Sequence, residues 1–353
     1  MPVRSFEPFH PSTDVTTTRT FLHEVIPLSG TIISGTYGTW PNDDNVKNYT
    51  HGQFQSVYDY PYLSSSANHI FDLTIGYAPT SAVSASANTQ NAKKINMYNE
   101  VAQILQGFSG SSVRLFEADL KLDQSGTLDT AFFLTFSRLL TKDQIKKNSF
   151  SLQVGIGSWA NPFSTTRTLQ DALARTDGSN TNNTLGGDYA VLYDNSAGTG
   201  SGYGVVFYQA GIAILSSSIF TTGSTPISDF NSSSAPVYGY TVDQSFATSS
   251  ISGTCDAFRH RIQNISYNNT TEINSTIYFC RVPHNKFNYS TNPTYTSGSK
   301  IRVKEVASDP PVSYITTVGL YNAANELLAV AKLSEPLKKT PSDELIIRVR
   351  TDY

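Results

Sequence analysis

Several stretches of the chain alternate apolar and polar residues at period two. In SFSLQVGIG, Phe150, Leu152, Val154 and Ile156 alternate with Ser151, Gln153 and Gly155, the pattern of a strand with one buried face. AFFLTFSRLL places Phe132, Leu134 and Phe136 on one side and Phe133, Thr135 and Ser137 on the other. In DELIIRVR, Leu345, Ile347 and Val349 oppose Ile346, Arg348 and Arg350. STIYFCRV adds another strand, and DYAVLYDNSAGTGSGYGVVFYQAGIAILSSSIF reads as a strand, a long Gly-rich turn and one or two further strands.

The helical period is rarer. In KKINMYNEVAQILQGF, Met97, Val101, Ile104, Leu105 and Phe108 recur at helical spacing, which predicts a helix near 94–107 packed on a sheet and stopped by Gly107. TKDQIKK predicts a helical turn with Thr141 as its N-cap. A brief helix is predicted at 254–263, with Cys255, Phe258 and Ile262 inward and His260 on its polar side.

The stretch Ser313 to Lys339 carries conflicting signals. NELLAVAKL is built of strong helix formers, but a helix of about ten residues before Pro336 is marginal on its own. NAAN is a good turn between two apolar runs. The prediction is therefore a hairpin, residues 315–321 with 326–333, in which Leu328 and Val330 share one buried face and Leu327, Ala329 and Ala331 the other.

These patterns predict a mainly β fold of β-sandwich-like sheets with a few short α-helices. Residues 1–65 lack regular periodicity and carry prolines at 2, 8, 11, 27, 41 and 61, which suits an extended N-terminal arm or an irregular edge. A main β-rich domain is expected over 66–300, and a C-terminal hairpin with a final strand over 301–353, packed on it. The Gly/Ser-rich stretches near 178–204 and 222–250 are expected as loops or inserted subdomains. The absence of a fixed-period repeat argues against propellers and solenoids.

Composition narrows the partners. Charged residues make up 15% of the 353, against roughly 25% in average soluble proteins. Ser, Thr, Asn and Gly take their place, and aromatics reach 12%. With a net charge of −3 and KDQIKK as its densest basic cluster, nucleic acid is not an expected partner. The first residues lack the apolar core of a signal peptide, and no run approaches the ~18 apolar residues that span a bilayer. A soluble chain without membrane association is expected. Cys255 and Cys280 are the only cysteines, too few for a disulfide framework or a zinc site, and both are expected as buried free thiols. Asn-x-Ser/Thr triplets such as that at Asn48 follow from the composition, and glycosylation is not expected.

The candidates for chemistry have bland readings. Gly198, Gly200, Gly202 and Gly204 follow a strand, but the next segment is strand-like, so the helix needed at a phosphate loop is missing. The six histidines never pair at metal-ligand spacing. Asp43 and Asp44 beside Trp40 form a polar turn rather than the two carboxylates across a cleft that glycosidases use. No catalytic residue, metal ligand or cofactor is expected.

The segments YFCRVPHNKFNYSTNPTYTSGSKIRV, YITTVGLYNAANELLAVAKLSEPLKK and ELIIRVRTDY resemble structural proteins of contractile-tailed bacteriophages, marine and cyanobacterial ones above all. Blocks at 71–105, 132–155 and 187–215 are similar to the same group. The resemblance implies a non-enzymatic virion protein of the tail or baseplate, made in the host cytoplasm and held in multiple copies in a symmetric assembly by other tail and baseplate proteins. VGLYNAANELLAVAKL resembles a module that forms a hairpin near a subunit contact, so Val318, Leu320, Tyr321, Leu328 and Val330 are expected at an interface. Neck, collar or fibre-attachment proteins, and carbohydrate-binding or glycan-degrading receptor-binding tail proteins, are the alternatives.

Overall fold

The computed structural model describes residues 6–27, 43–84, 89–157, 163–174, 181–194, 198, 202–222, 225–227, 229–230, 240–289, 296–297, 300–301, 308 and 311–353. Among the described residues strand accounts for 45% and helix for 16%, so the mainly β reading holds. The chain divides into two compact units: Leu22–Thr271, and Met1–Phe21 with Glu272–Tyr353. The 21-residue strand Ile262–Val282 contributes to both.

Leu22–Thr271 is built on an antiparallel eight-stranded sheet. Its strands run in the order Asn182–Thr184, Gly187–Leu192, Gly204–Phe207, Ile212–Ser216, Thr130–Phe136, His69–Tyr77, Gln55–Tyr58 and Val46–Asn48. One face packs on a second sheet, in which Ser151–Gly155 lies between Thr166–Gln170 and Ile262–Ser266. Phe132, Leu134 and Phe136 from the first sheet meet Phe150, Leu152, Val154, Ile265 and Tyr267 in one apolar core. Both alternations in the sequence hold here, because every second side chain points into this layer.

The other face of the eight-stranded sheet is buried as well. Phe133, Tyr189, Val205 and Phe207 pack there with Tyr98, Ala102, Leu105 and Phe116. The helix of that layer, Thr89–Leu105, starts earlier than its sequence signal, and its buried face is rotated from the predicted one. Asn91, Lys94, Tyr98, Ala102 and Leu105 are buried, while Ile104 is 69% exposed and Phe108 also faces outward. The cause lies in the sheet. A Cβ on Gly76 would lie 2.7 Å from the Lys94 carbonyl oxygen and 2.8 Å from the Tyr98 nitrogen, so the helix seats its 94–98 turn against bare backbone. Gly107 ends the helix as predicted, with φ +80° and its N–H donating to the Ala102 and Gln103 carbonyls.

Other local expectations shift. The short helix is Arg138–Thr141, so Thr141 closes it instead of capping its start, and Ser137 occupies the N-cap position. The helix predicted at 254–263 spans Ile251–Arg259, with Ser250 accepting from the Gly253 N–H. Cys255 and Phe258 point inward as expected, while Ile262 already belongs to the next strand. His260 is buried, as are its neighbours Arg259 and Arg261, contrary to the polar-side placement expected for it. The 222–250 stretch holds the helix Val242–Thr248, capped by a reciprocal Thr241–Gln244 box. Residues 1–65 contribute the strand Val15–Pro27 and two strands of the large sheet. The Gly-rich turn lies between strands, as predicted, and its Gly200 lies outside the described residues, as does Trp40.

In the second unit, Ser275–Val282 pairs antiparallel with Leu345–Asp352. The predicted hairpin forms, as Ser313–Tyr321 with Leu327–Lys339. Its second strand runs on through Pro336, and register shifts occur at 315/317 and 320/321. Ile315, Val318, Leu320, Ala329, Ala331 and Leu333 pack with Val282, Ile347 and Val349. The shift at 315/317 is what lets Ile315 and Val318 share that face despite an odd spacing.

Candidate functional site

The hairpin buries one face only, contrary to the two-sided burial expected. Leu328 is 69% exposed, Val330 51% and Leu327 52%, and Tyr314, Tyr321 and Leu337 also face outward. Of the five residues expected at an interface, Val318 and Leu320 turn into the unit's own core, while Tyr321, Leu328 and Val330 lie outside it. Phe6 packs edge-on against Tyr321 at 5.1 Å between ring centroids. The turn is held from within by Asn322, whose side chain accepts from the N–H groups of Ala324 and Glu326 at 2.9 and 2.8 Å. Asn325 adopts positive φ, a conformation that asparagine tolerates well. A well-fixed turn thus presents a two-stranded ribbon whose outer side is apolar next to the turn, at Tyr321, Leu327, Leu328 and Val330.

Titratable groups gather at the end of the helix Ile251–Arg259. The Arg259 guanidinium pairs with Asp43 and, at 3.3 Å, with Asp256. The His260 Nδ1 lies 2.7 Å from the Asp256 carbonyl, and its Nε2 lies 3.4 Å from Asp43. Burial, followed by the Arg259 charge, pushes the His260 pKa down. Burial works to raise the Asp43 carboxyl, but Arg259 overrides it and holds the pKa below the ordinary value. Asp43 is therefore an ion-pair partner and not the freely solvated turn residue expected.

Arg261 is enclosed more completely. It donates to the carbonyls of Gly155, Gly157 and Asp229 at 3.0, 2.9 and 2.8 Å, and its guanidinium lies 5.2 Å from the Phe163 ring centroid. Burial lowers its pKa to about 10. These contacts tie the end of the Ser151–Gly155 strand and Asp229 to one cation and act on stability. Sequence reasoning could not find them, since the partners lie 106, 104 and 32 positions away.

Both cysteines are free, with Cys255 buried and Cys280 half-buried. Burial raises both thiol pKa values, which keeps them protonated and unreactive. Tyr49, His51 and Phe54 form a ring cluster with centroid separations of 4.8 to 5.1 Å. No helix is long and apolar enough to cross a membrane among the described residues.

No protein-family model matches the chain, and no curated protein or solved structure matches it either.

Proposed function

We propose that this chain is a non-enzymatic structural subunit of a bacteriophage virion, placed in the tail baseplate and acting through subunit–subunit contacts. The observation that carries the reading is the outward apolar side of the hairpin, formed by Tyr321, Leu327, Leu328 and Val330. Isolated apolar surface residues are ordinary, but a run of them along one ribbon marks a contact surface. The sparsely charged, Tyr-rich composition adds to this, since such surfaces lose little on desolvation. The resemblance of the 313–339 segment to tail modules supplies the particle context.

Neighbours on this reading are other tail and baseplate proteins, and the subunit works without a cofactor or nucleic acid. A neck, collar or fibre-attachment position would use the same surface with different neighbours. The glycan-binding reading draws on the Tyr49, His51 and Phe54 rings, which could stack on sugars.

Electron-density maps of intact particles, with quantitative mass spectrometry, test the proposal. The expected result is a fixed copy number in the tail-end assembly with the hairpin at a subunit contact. Absence of the chain from purified particles would refute a virion role. Selective binding on a glycan array that is lost in Tyr49→Ala would favour the receptor-binding alternative.

A further inference from the structure

The segment between Phe116 and Leu128 forms a closed loop on the outer layer of the eight-stranded sheet. Phe116 and Leu128 are buried in that layer, and the Leu128 N–H donates to the Phe116 carbonyl at 2.7 Å. Glu117 and Thr127 form an antiparallel bridge, and the Ala118 N–H donates to the Gly126 carbonyl at 3.0 Å. The loop so closed carries three carboxylates, Glu117, Asp119 and Asp123, each offering an oxygen within 4.8 Å of the others.

Clustered acids alone are common on protein surfaces. Here two oxygens lack partners where partners are required. Glu117 is 1% exposed. Its Oε1 accepts from the Gln124 side chain at 2.8 Å, but its Oε2 is buried without a hydrogen bond. The Tyr189 hydroxyl, also buried, lies beside the Asn182 side chain without a hydrogen bond of ordinary geometry. Tyr189 packs in the same buried layer as Phe116, the chain neighbour of Glu117. A buried carboxylate oxygen with no donor is costly, and such orphans commonly mark an ion or water.

The cationic groups facing the cluster do not fill this role. The Arg114 Nη1 is engaged by the Leu122 carbonyl at 2.7 Å. Lys121 reaches Asp119 Oδ2 only at 3.8 Å, and its side chain is 74% exposed. One oxygen of each aspartate is committed to the loop: Asp119 Oδ1 accepts from the Lys121 N–H and Asp123 Oδ1 from the Ser125 N–H.

We propose that Glu117, Asp119 and Asp123 form a calcium-binding site. The donor set is all oxygen, which selects a hard cation over zinc or copper. Three carboxylates on one short irregular loop suit calcium, which accepts about six to eight oxygens in flexible geometry, better than magnesium, which demands near-ideal octahedral geometry. The ion would pin the loop to the sheet and relieve the repulsion among three carboxylates.

The test uses the purified full chain, freed of metal by a chelator. Calcium chloride is expected to raise the melting temperature by about 2 °C or more, with magnesium chloride weaker. Terbium is expected to bind competitively with calcium and to emit through tyrosine sensitisation. Asp123→Asn and Asp119→Asn, at positions that are not fully buried, should weaken calcium binding by roughly tenfold or more. Two results would overturn the proposal: no calcium shift or terbium emission in the wild type, or responses that persist unchanged in both aspartate variants. A magnesium response without a calcium one would overturn the choice of ion.

Discussion

The Tyr208 hydroxyl donates to Asp171 Oδ2 at 2.8 Å inside the Leu22–Thr271 core. The same carboxylate accepts from the backbone N–H groups of Asn148 and Phe150 at 2.7 and 3.0 Å. One buried acid thus fixes the start of the Ser151–Gly155 strand, the end of Thr166–Gln170 and the turn after Gly204–Phe207.

Burial pushes the Asp171 carboxyl up, against the three hydrogen bonds that favour its anion. With the folded pKa raised, the folded chain holds this proton to higher pH than the unfolded chain. The group's stabilisation is present at acid pH and declines as pH rises through the folded value. Tyr208→Phe removes a donor to the anion and raises that value further. The variant is expected to lose about 1–3 kcal/mol at neutral pH, with the deficit shrinking as Asp171 becomes protonated. Urea denaturation of both proteins across the carboxylate range checks this, and a deficit independent of pH would contradict it.

Lys94 is a buried cation held by backbone carbonyls. Its Nζ donates to Phe246 and Ser249 at 2.5 and 2.7 Å, which satisfies carbonyls at the C-terminal end of Val242–Thr248. Burial lowers its pKa to about 8. Between that value and the ordinary lysine range the unfolded chain binds more protons, so stability from this group rises with pH. Lys94→Met is expected to be less stable than wild type, and the gap should widen by roughly 2 kcal/mol from mildly to strongly alkaline pH. Denaturation midpoints over that range measure it.

Gly76→Ala sets a methyl group against the backbone of Thr89–Leu105, which cannot yield as a side chain would. A loss of about 1–3 kcal/mol or more is expected, seen as a lower denaturation midpoint with early exposure of Tyr98. A stability equal to wild type would show that the helix can slide.

Leu328→Lys with Val330→Lys places charge on the exposed side of the hairpin. Both side chains lie outside the core of their unit, so monomer stability should change by only about 0.5 kcal/mol per site. If the proposed virion role holds, incorporation into particles, measured by complementation of a deletion phage, should fall sharply. Normal incorporation would remove the hairpin from the proposed contact.

The sequence by itself determined the strands whose faces differ in polarity. Phe150 to Ile156 and Leu345 to Arg350 were legible because alternation at period two survives any placement of the sheet. The hairpin at 313–339 was legible for a related reason: its turn chemistry is local and a helix there would have been too short to hold. The Gly107 stop was equally local.

Tertiary structure decided which surfaces those elements would cover. The helix near residue 94 turned Tyr98 and Lys94 inward and Ile104 outward because Gly76 opened one seat on the sheet. Arg259, His260 and Arg261 are charged or polar in any local reading, yet they are buried because partners distant in sequence surround them. The three carboxylates of the 117–127 loop converge only once its ends are clamped by the sheet. Periodicity records the polarity of one segment, whereas burial depends on what packs against it, and that information is spread over the whole chain.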